Sequence, residues 1–179
     1  SLNKIAIYKD SMMNGRYITF FKTGEKHIEC EYIDHKIEGL YTEYYPNGSV
    51  FQQGSYLHNK KHGQWKSYYS DSSVYTKGIF YKGEFDGIWY VYYSNSKLKQ
   101  VGSYTAGVPF GDWIYYYDTG ELQKRGKILN GLEEDFWMFY DPLGRLRNIV
   151  FYRHGMASWF AWIYDENGNL VKKLINGNE

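Results

Sequence analysis

Histidine, cysteine and acidic side chains are the residues of this 179-residue chain that could bind a metal ion or act as a nucleophile. His58 and His62 have the i, i+4 spacing of a helical metal-binding pair, but flanking glycines indicate a loop, where that spacing has no such meaning. The single Cys30 has no neighbouring histidine, which favours a buried thiol over a nucleophile. The acidic run 133–135 is typical of a solvated turn. We therefore predict no catalytic residue, no metal site and no cofactor.

The composition argues against several classes of partner. The net charge is +1 and acidic and basic residues are mixed, so we expect neither a nucleic acid nor an anionic membrane surface as the partner. No stretch approaches the roughly 20 apolar residues of a membrane-spanning helix. One cysteine excludes an internal disulfide, which fits a reducing compartment such as the cytoplasm or a fold that needs no disulfide, whereas an envelope location would fit a chain whose leader has been removed.

The spacing of the glycines indicates which secondary-structure elements carry any functional side chain. Of 19 glycines, 18 fall at four places in a 24-residue cycle, and Gly177 stands outside it. The four classes are Gly15, Gly39, Gly63, Gly87 and Gly111; Gly24, Gly48, Gly120, Gly144 and Gly168; Gly54, Gly78, Gly102 and Gly126; and Gly83, Gly107, Gly131 and Gly155. A fixed period without insertions predicts repeated supersecondary units stacked in a row.

Each 24-residue unit has the pattern of a β-hairpin. A large aromatic residue stands two places after the opening glycine and another three places further on, followed by a turn and a second β-favouring run. Units start near residues 15, 39, 63, 87, 111, 135 and 159. We therefore predict one all-β domain over residues 1–179, an elongated solenoid of about seven hairpins in an antiparallel sheet. The third glycine class lies inside a strand, where we expect a neighbouring ring to cover the bare backbone.

The unit resembles the MORN repeat in its bacterial variant, with the pattern G-x-W-x-x-Y-Y-x-x-G-x-L. Residues 111–122 match it position for position, and the resemblance covers roughly residues 15–170. It implies a non-catalytic scaffold, and some proteins with this variant resemble antitoxins of the YwqK type. Choline-binding repeats are a rival resemblance, but those repeats pair two aromatics after the turn. Here that place holds aliphatic residues: Leu98, Leu122 and Leu146.

Positions that differ between copies mark where the units could differ in function. In the first strand of each unit, three such positions are polar in the N-terminal half of the chain and become apolar in the C-terminal half. Exposed aromatic residues and methionine are preferred in protein interfaces. The candidate partner-binding residues are Tyr90, Tyr115, Phe136, Met138, Phe139, Phe160 and Trp162. Alternatively these side chains are ordinary core that caps the stack, since Asp135 and Trp159 replace the opening glycine; both can hold.

The sequence leaves the ligand open. A protein partner fits best, and an antitoxin or immunity protein that occludes its partner is the sharpest version. A glycan or cell-envelope module that uses rows of aromatic rings is the alternative. Self-association through unpaired end strands is a third class. A membrane-associated scaffold, the role associated with eukaryotic MORN arrays, would need the basic surface that this chain lacks.

Overall fold

The computed structural model describes residues 3–174 and, within that range, every side chain except those of Trp159 and Phe160. The described residues form β-strands and turns. The strands are β1 (Lys4–Lys9), β2 (Met12–Phe20), β3 (Lys26–Ile33), β4 (Lys36–Tyr44), β5 (Val50–Leu57), β6 (Lys60–Tyr68), β7 (Val74–Tyr81), β8 (Glu84–Tyr92), β9 (Leu98–Thr105), β10 (Val108–Tyr116), β11 (Leu122–Leu129), β12 (Leu132–Tyr140), β13 (Leu146–Arg153), β14 (Met156–Tyr164) and β15 (Leu170–Leu174). The predicted fold class, an all-β array of antiparallel hairpins, is confirmed.

The chain divides into two compact units, Ser1–Asp86 and Gly87–Glu179, which we call unit 1 and unit 2. In unit 1, strands β1 to β7 pair with their neighbours in chain order, and in unit 2 strands β8 to β15 do the same. β1 is a strand that the 24-residue pattern did not predict, because it precedes the first repeat glycine and lacks the aromatic signature. That the whole chain is one elongated domain stays a prediction.

Two kinds of turn alternate along the array. Successive repeats are joined by two-residue turns in which both residues have positive φ, as at His58 (51°) and Asn59 (65°), which is the type I′ geometry that matches strand twist. Within a repeat, the longer turn ends on one residue with positive φ, Gly48 at 84° for example. Ser72 (71°) and Ser96 (64°) stand at that position in two repeats, where the sequence lacks the glycine.

In-strand glycines are covered by the indole ring of the following strand. A Cβ built on Gly54 would lie 2.3 Å from the ring of Trp65, and a Cβ built on Gly126 would lie 2.3 Å from the ring of Trp137. The rings are buried, with Trp65 at 3% and Trp137 at 1% exposure. The expected packing of rings on bare backbone is therefore confirmed, and it forms the core of a sheet that has no second layer of secondary structure among the described residues.

Near both ends of the repeat array, other residues replace the pair of in-strand glycine and tryptophan. Cys30 replaces the in-strand glycine in the first repeat, and the ring opposite is the smaller Tyr41. Val150 replaces it in a later repeat, and Ala161 stands where the tryptophan would be. A larger residue on one strand is thus matched by a smaller one on the next, so the volume between the strands stays filled.

A tyrosine hydroxyl ties each of several repeats to the next. Three tyrosines at one repeat position donate to a main-chain carbonyl 23 residues later at 2.8 Å: Tyr45 to Tyr68, Tyr93 to Tyr116 and Tyr117 to Tyr140. This contact was not among the sequence-based predictions, although the 24-residue recurrence of the tyrosine is visible in the sequence. In the last repeats the position holds Asp141 and Asp165, whose carboxylates accept main-chain N–H groups of their own turns instead.

Candidate binding surface

The candidate residues of unit 2 are divided between the two faces of its sheet. We call the face that carries Trp113 and Trp137 the tryptophan face and its opposite the reverse face. Tyr115 and Phe139 lie two residues beyond these tryptophans and share their face, because side chains alternate along a strand. The reverse face carries the other candidates whose side chains are described, Tyr90, Phe136, Met138 and Trp162. The side chain of Phe160, in β14, lies outside the described part.

Tyr115 and Phe139 pack into the core of unit 2. Both contact the buried cluster that contains Trp113 and Trp137. The Tyr115 ring centroid is 6.1 Å from that of Trp113 and 6.2 Å from that of Trp137. Burial raises the pKa of Tyr115 to about 12, and the charge of Glu133 contributes less. Their contacts are those that the core alternative predicts.

An apolar cluster occupies the reverse face across β12, β13 and β14. The ring centroid of Phe136 lies 5.1 Å from that of Phe151 and 5.4 Å from that of Trp162. Met138 is paired directly with Ile149, which is paired with Trp162 on its other side. Phe136 is 40% exposed and the other four are half-buried. These five residues, the apolar cluster, keep part of their apolar surface in contact with solvent.

A cross-strand row connects Tyr90 to the apolar cluster. It passes over every strand of unit 2 through directly paired residues, and six of its eight members are apolar or aromatic. The members are Tyr90, Val101, Ile114, Arg125, Met138, Ile149, Trp162 and Lys173. Unit 2 therefore presents an apolar stripe that contains two cations.

In the corresponding row of unit 1, five of the seven members are polar or charged. Its members are Ile5, Ile18, Glu29, Thr42, Gln53, Lys66 and Lys77. Glu29 in this row accepts a hydrogen bond from Lys26 Nζ at 2.8 Å and from Arg16 Nε at 2.9 Å, and these bonds, chiefly the one from Lys26, hold its carboxyl pKa below the usual range. The apolar stripe thus belongs to unit 2.

An open groove of about 390 Å³ lies on the reverse face of unit 2 between β10, β11 and β12. Its apolar lining residues are Trp113, Ile114, Phe136 and Met138, and its charged ones are Asp112, Arg125, Lys127 and Asp135. Arg125 lies beside the apolar residues, with Nη2 3.5 Å from Sδ of Met138. Among the residues that the structure describes, no carboxylate lies within 4.0 Å of the Arg125 guanidinium. An exposed guanidinium flanked by apolar groups can bind a carboxylate or stack on a ring.

The side chains with catalytic potential are not brought together. His58 lies in a two-residue turn and pairs with Glu38, whereas His62 lies in β6 rather than in the expected loop, because the turn is only two residues long. Burial raises the pKa of Cys30 to about 11, which keeps the thiol protonated. Within residues 3–174, no group of three or more His, Cys, Asp or Glu side chains could hold a metal ion.

The acidic run 133–135 lies in β12 and not in a turn as expected. The preceding turn is complete at Asn130 and Gly131, both with positive φ, so the strand has resumed before the acids begin. Asp135 itself has φ of 66° and replaces the repeat glycine in a local irregularity of the β11–β12 register.

No helix in the described part of the chain is long and apolar enough to cross a membrane.

Several residues of the surface were missed by the sequence analysis. Arg125, Ile149 and Phe151 lie on the second strands of their repeats, whereas all the predicted surface residues lie on first strands. The signal that could have found them is hairpin pairing: each stands directly opposite a candidate or a neighbour of one, as Phe151 stands opposite Phe136.

These features define a class, the repeat proteins that are built from consecutive antiparallel β-hairpins. The MORN repeat variant matches residues 37–58 and 85–106, so the chain contains repeats of the MORN type. The repeat family and the repeat sheet indicate a non-enzymatic scaffold of the binding type.

Comparison with other proteins adds little beyond the repeat. No curated protein matches the chain. Similar solved structures include TarM (14% identity, TM-score 0.35, 56% of this chain and 19% of that chain). A TarM mutant from S. aureus in complex with Fondaparinux, alpha-GlcNAc-glycerol and UDP has 14% identity and a TM-score of 0.37 over 60% of this chain and 21% of that one. The GtfA/B complex bound to UDP and GlcNAc has 13% identity and a TM-score of 0.27, over 64% and 22%. The chain spans about a fifth of the length of these structures.

Proposed function

We propose that the chain is a non-catalytic scaffold that binds a protein partner through the reverse face of unit 2. The observation that carries the proposal is the apolar cluster, in which Phe136 remains 40% exposed beside Met138, Phe151 and Trp162. Aromatic residues and methionine are enriched in the cores of protein interfaces, and such anchors supply most of the binding free energy.

The mechanism is occlusion by a preformed surface. The residues of the cluster are carried by paired strands, so little side-chain or backbone freedom remains to be lost when a partner binds. Arg125 extends the surface with a cation that no described carboxylate neutralises within 4.0 Å. An antitoxin or immunity protein that covers the working surface of its partner is the sharpest form of this function.

The glycan alternative depends on accessible ring faces. Sugars stack on exposed aromatic faces, whereas the repeat tryptophans are buried, with Trp113 at 3% and Trp137 at 1% exposure. Any glycan site would therefore use the exposed rings, and Phe136 is one of them. This makes protein binding the better-supported function, and glycan binding becomes an outcome of the same experiment.

The test is capture of a partner by the tagged chain and by two variants. Phe136→Ala combined with Met138→Ala should abolish capture of a stoichiometric protein, because both anchors lose their side chains. The matched control is Tyr75→Ala, which removes an exposed aromatic residue (40%) from unit 1 and should leave capture unchanged. Unfolding curves confirm that each variant is folded. Equal capture of the protein by both variants contradicts the proposal. If the chain captures no protein but is retained on polysaccharide, its function is glycan binding instead.

A further inference from the structure

A cleft of about 580 Å³ lies at the edge of unit 2 where the longer turns leave the sheet. It is separate from the groove of the reverse face, because three of its lining residues form a cross-strand row on the tryptophan face: Lys124, Phe139 and Asn148. Tyr117 and Pro142 line it at the turns that follow β10 and β12. Its volume is that of a site for a small molecule.

In the four preceding repeats, the aromatic residue at the position of Tyr117 is covered by the residue six places further along the chain. The cover is a ring in three repeats and an ammonium group in the fourth. The pairs are Phe21 and His27 (4.4 Å between ring centroids), Tyr45 and Phe51 (5.1 Å), Tyr69 and Tyr75 (5.0 Å), and Tyr93 and Lys99 (Nζ 5.3 Å from the ring centroid). A ring face at this position thus receives a second ring or a cation.

Tyr117 lacks such a cover. Gln123 stands six places after it and supplies neither a ring nor a cation. Within the described part of the chain, no ring or cation contacts Tyr117, and the side-chain amide of Gln123 has no hydrogen bond. Both residues line the cleft. The place that a ring occupies in three earlier repeats is therefore part of this cleft.

The charged groups of the lining are two bases and one acid, Lys124, Arg147 and Asp141. Among the described residues, Lys124 has no carboxylate within 4.0 Å. Arg147 makes no hydrogen bond there, and its Nη1 is 3.8 Å from Oδ2 of Asp141. The side-chain amide of Asn148 also has no hydrogen bond among the described residues and can donate to an anion. The cleft thus offers three groups that can bind a carboxylate.

The acids near the cleft are bonded within their own turns. Asp141 accepts hydrogen bonds from the main-chain N–H of Arg145 at 3.0 Å and from its Nε at 2.8 Å. Asp165 accepts the main-chain N–H of Asn169 at 2.8 Å. Hydrogen bonds from Asn169, and to a smaller extent the charge of Arg147, hold the pKa of the Asp165 carboxyl below its usual range. These bonds do not involve the bases that line the cleft, which keep their donors for a ligand.

We propose that the cleft binds a small ligand in which a planar aromatic ring carries a carboxylate. The ring lies on the uncovered face of Tyr117, as the covering rings lie in earlier repeats. The carboxylate lies among Lys124, Arg147 and Asn148, which bind it by charge and by hydrogen bonds. The site does not use the reverse face, so the proposal goes beyond the binding of a protein partner.

The experiment is a titration of the full chain, followed by NMR, with N-acetylphenylalanine as the probe. N-acetylphenylalaninamide is the matched probe without the negative charge, and acetate is the matched probe without the ring. Both should bind at least about tenfold more weakly than the acid, because each lacks one of the two groups that the cleft receives.

Two variants test the two halves of the site. Gln123→Phe supplies the ring that covers the tyrosine in an earlier repeat, so it should abolish binding of the acid. Its matched control is Gln64→Phe, the same change at an exposed position of unit 1, which should leave binding unchanged. Lys124→Gln with Arg147→Gln should reduce the affinity for the acid to that for the amide. Glutamine already stands at the position of Lys124 in two other repeats: Gln52 and Gln100.

No binding of N-acetylphenylalanine, equal binding of the acid and the amide, or undiminished binding by the folded Gln123→Phe variant would each overturn the proposal. A tripeptide with a free C-terminal phenylalanine distinguishes two sources of the same chemistry. Tighter binding of the tripeptide than of the single residue assigns the site to a chain terminus, and weaker binding assigns it to a free aromatic acid. The Gln123→Phe variant keeps the apolar cluster, so its capture of a protein partner tests the proposed function separately.

Discussion

The indole ring of Trp137 lies against Gly126 so closely that a Cβ on this glycine would stand 2.3 Å from ring carbon Cδ2. The ring nitrogen donates to the carbonyl of Lys127 at 3.1 Å, which fixes the indole in place. The glycine is required here for space, since its φ is not positive. Two other pairs have the same relation: Gly54 with Trp65, and Gly102 with Trp113.

Gly126→Ala should destabilise the protein by about 3 kcal/mol, because the added methyl group cannot enter without moving a buried indole. Urea unfolding measures the effect. Ser103→Ala, a strand substitution on the reverse face of β9, is the control and should change the free energy of unfolding by less than about 1 kcal/mol. Equal losses of stability from the two substitutions would show that the Trp137 ring can move aside at little cost.

Gly126→Val combined with Trp137→Ala should be less harmful than the sum of its parts. The pair would reproduce Val150 and Ala161, which stand at the same repeat positions. Trp137→Ala alone should cost about 4 kcal/mol, and the double variant should recover at least about 1 kcal/mol relative to additivity. A double-mutant cycle by urea unfolding gives this coupling. Strict additivity would mean that the two residues do not share one volume.

Ser72→Gly and Ser96→Gly should each stabilise the protein by about 0.5–1 kcal/mol. Their φ values of 71° and 64° are unfavourable for a residue with a side chain, and glycine adopts them at little cost. Thermal or urea unfolding measures the gain. Ser103→Gly, within β9, should instead destabilise the protein by a similar amount. A loss of stability in the turn variants would contradict this interpretation.

Tyr117→Phe should reduce the free energy of unfolding by about 1 kcal/mol, because it removes the hydroxyl that donates to the carbonyl of Tyr140 at 2.8 Å. Tyr75→Phe is the control, since the Tyr75 hydroxyl has no hydrogen bond among the described residues. The comparison uses chemical unfolding at neutral pH. If both variants lose the same stability, the hydroxyl bond between repeats contributes nothing specific.

The stability of the protein should fall in alkali through Cys30. Burial raises the pKa of this thiol to about 11 from an ordinary value of 9.0, so its neutral form is favoured by folding. The resulting stability is complete below the unfolded pKa and is lost as pH rises through the folded one. Relative to Cys30→Ala, the wild type should therefore lose about 2 kcal/mol between neutral pH and pH of about 10.5. A pH-independent difference between the two proteins would exclude a buried titrating thiol.

The packing of rings on glycines could be predicted from the sequence because both partners recur with the same period. Gly54 and Trp65 are eleven residues apart, and so are Gly102 and Trp113, which one hairpin connection explains. The alternation of side chains between the two faces of a strand could also be predicted, since Met138 and Phe139 are neighbours in the sequence. The prediction of one surface that contains both residues did not take this alternation into account.

The cross-strand row could not be predicted from the sequence. Register irregularities near residues such as Asp135, with φ of 66°, shift the pairing between successive hairpins. Which residue stands beside Met138 therefore depends on where the extra residue is accommodated. For this reason the pairing of Arg125 with Met138, which joins two successive repeats, emerged only from the structure.

The tyrosine hydroxyls that reach from one repeat to the next also determine how such a chain can change in length. Inserting or deleting one residue between Tyr93 and its acceptor at Tyr116 would misplace that bond and the strand register together. Duplicating or removing a whole 24-residue unit leaves every remaining tyrosine with a carbonyl at the same separation. Arrays of this kind can therefore lengthen by gene duplication in whole repeats. The series of bonds between repeats ends where an aspartate replaces the tyrosine, as Asp141 and Asp165 do in this chain.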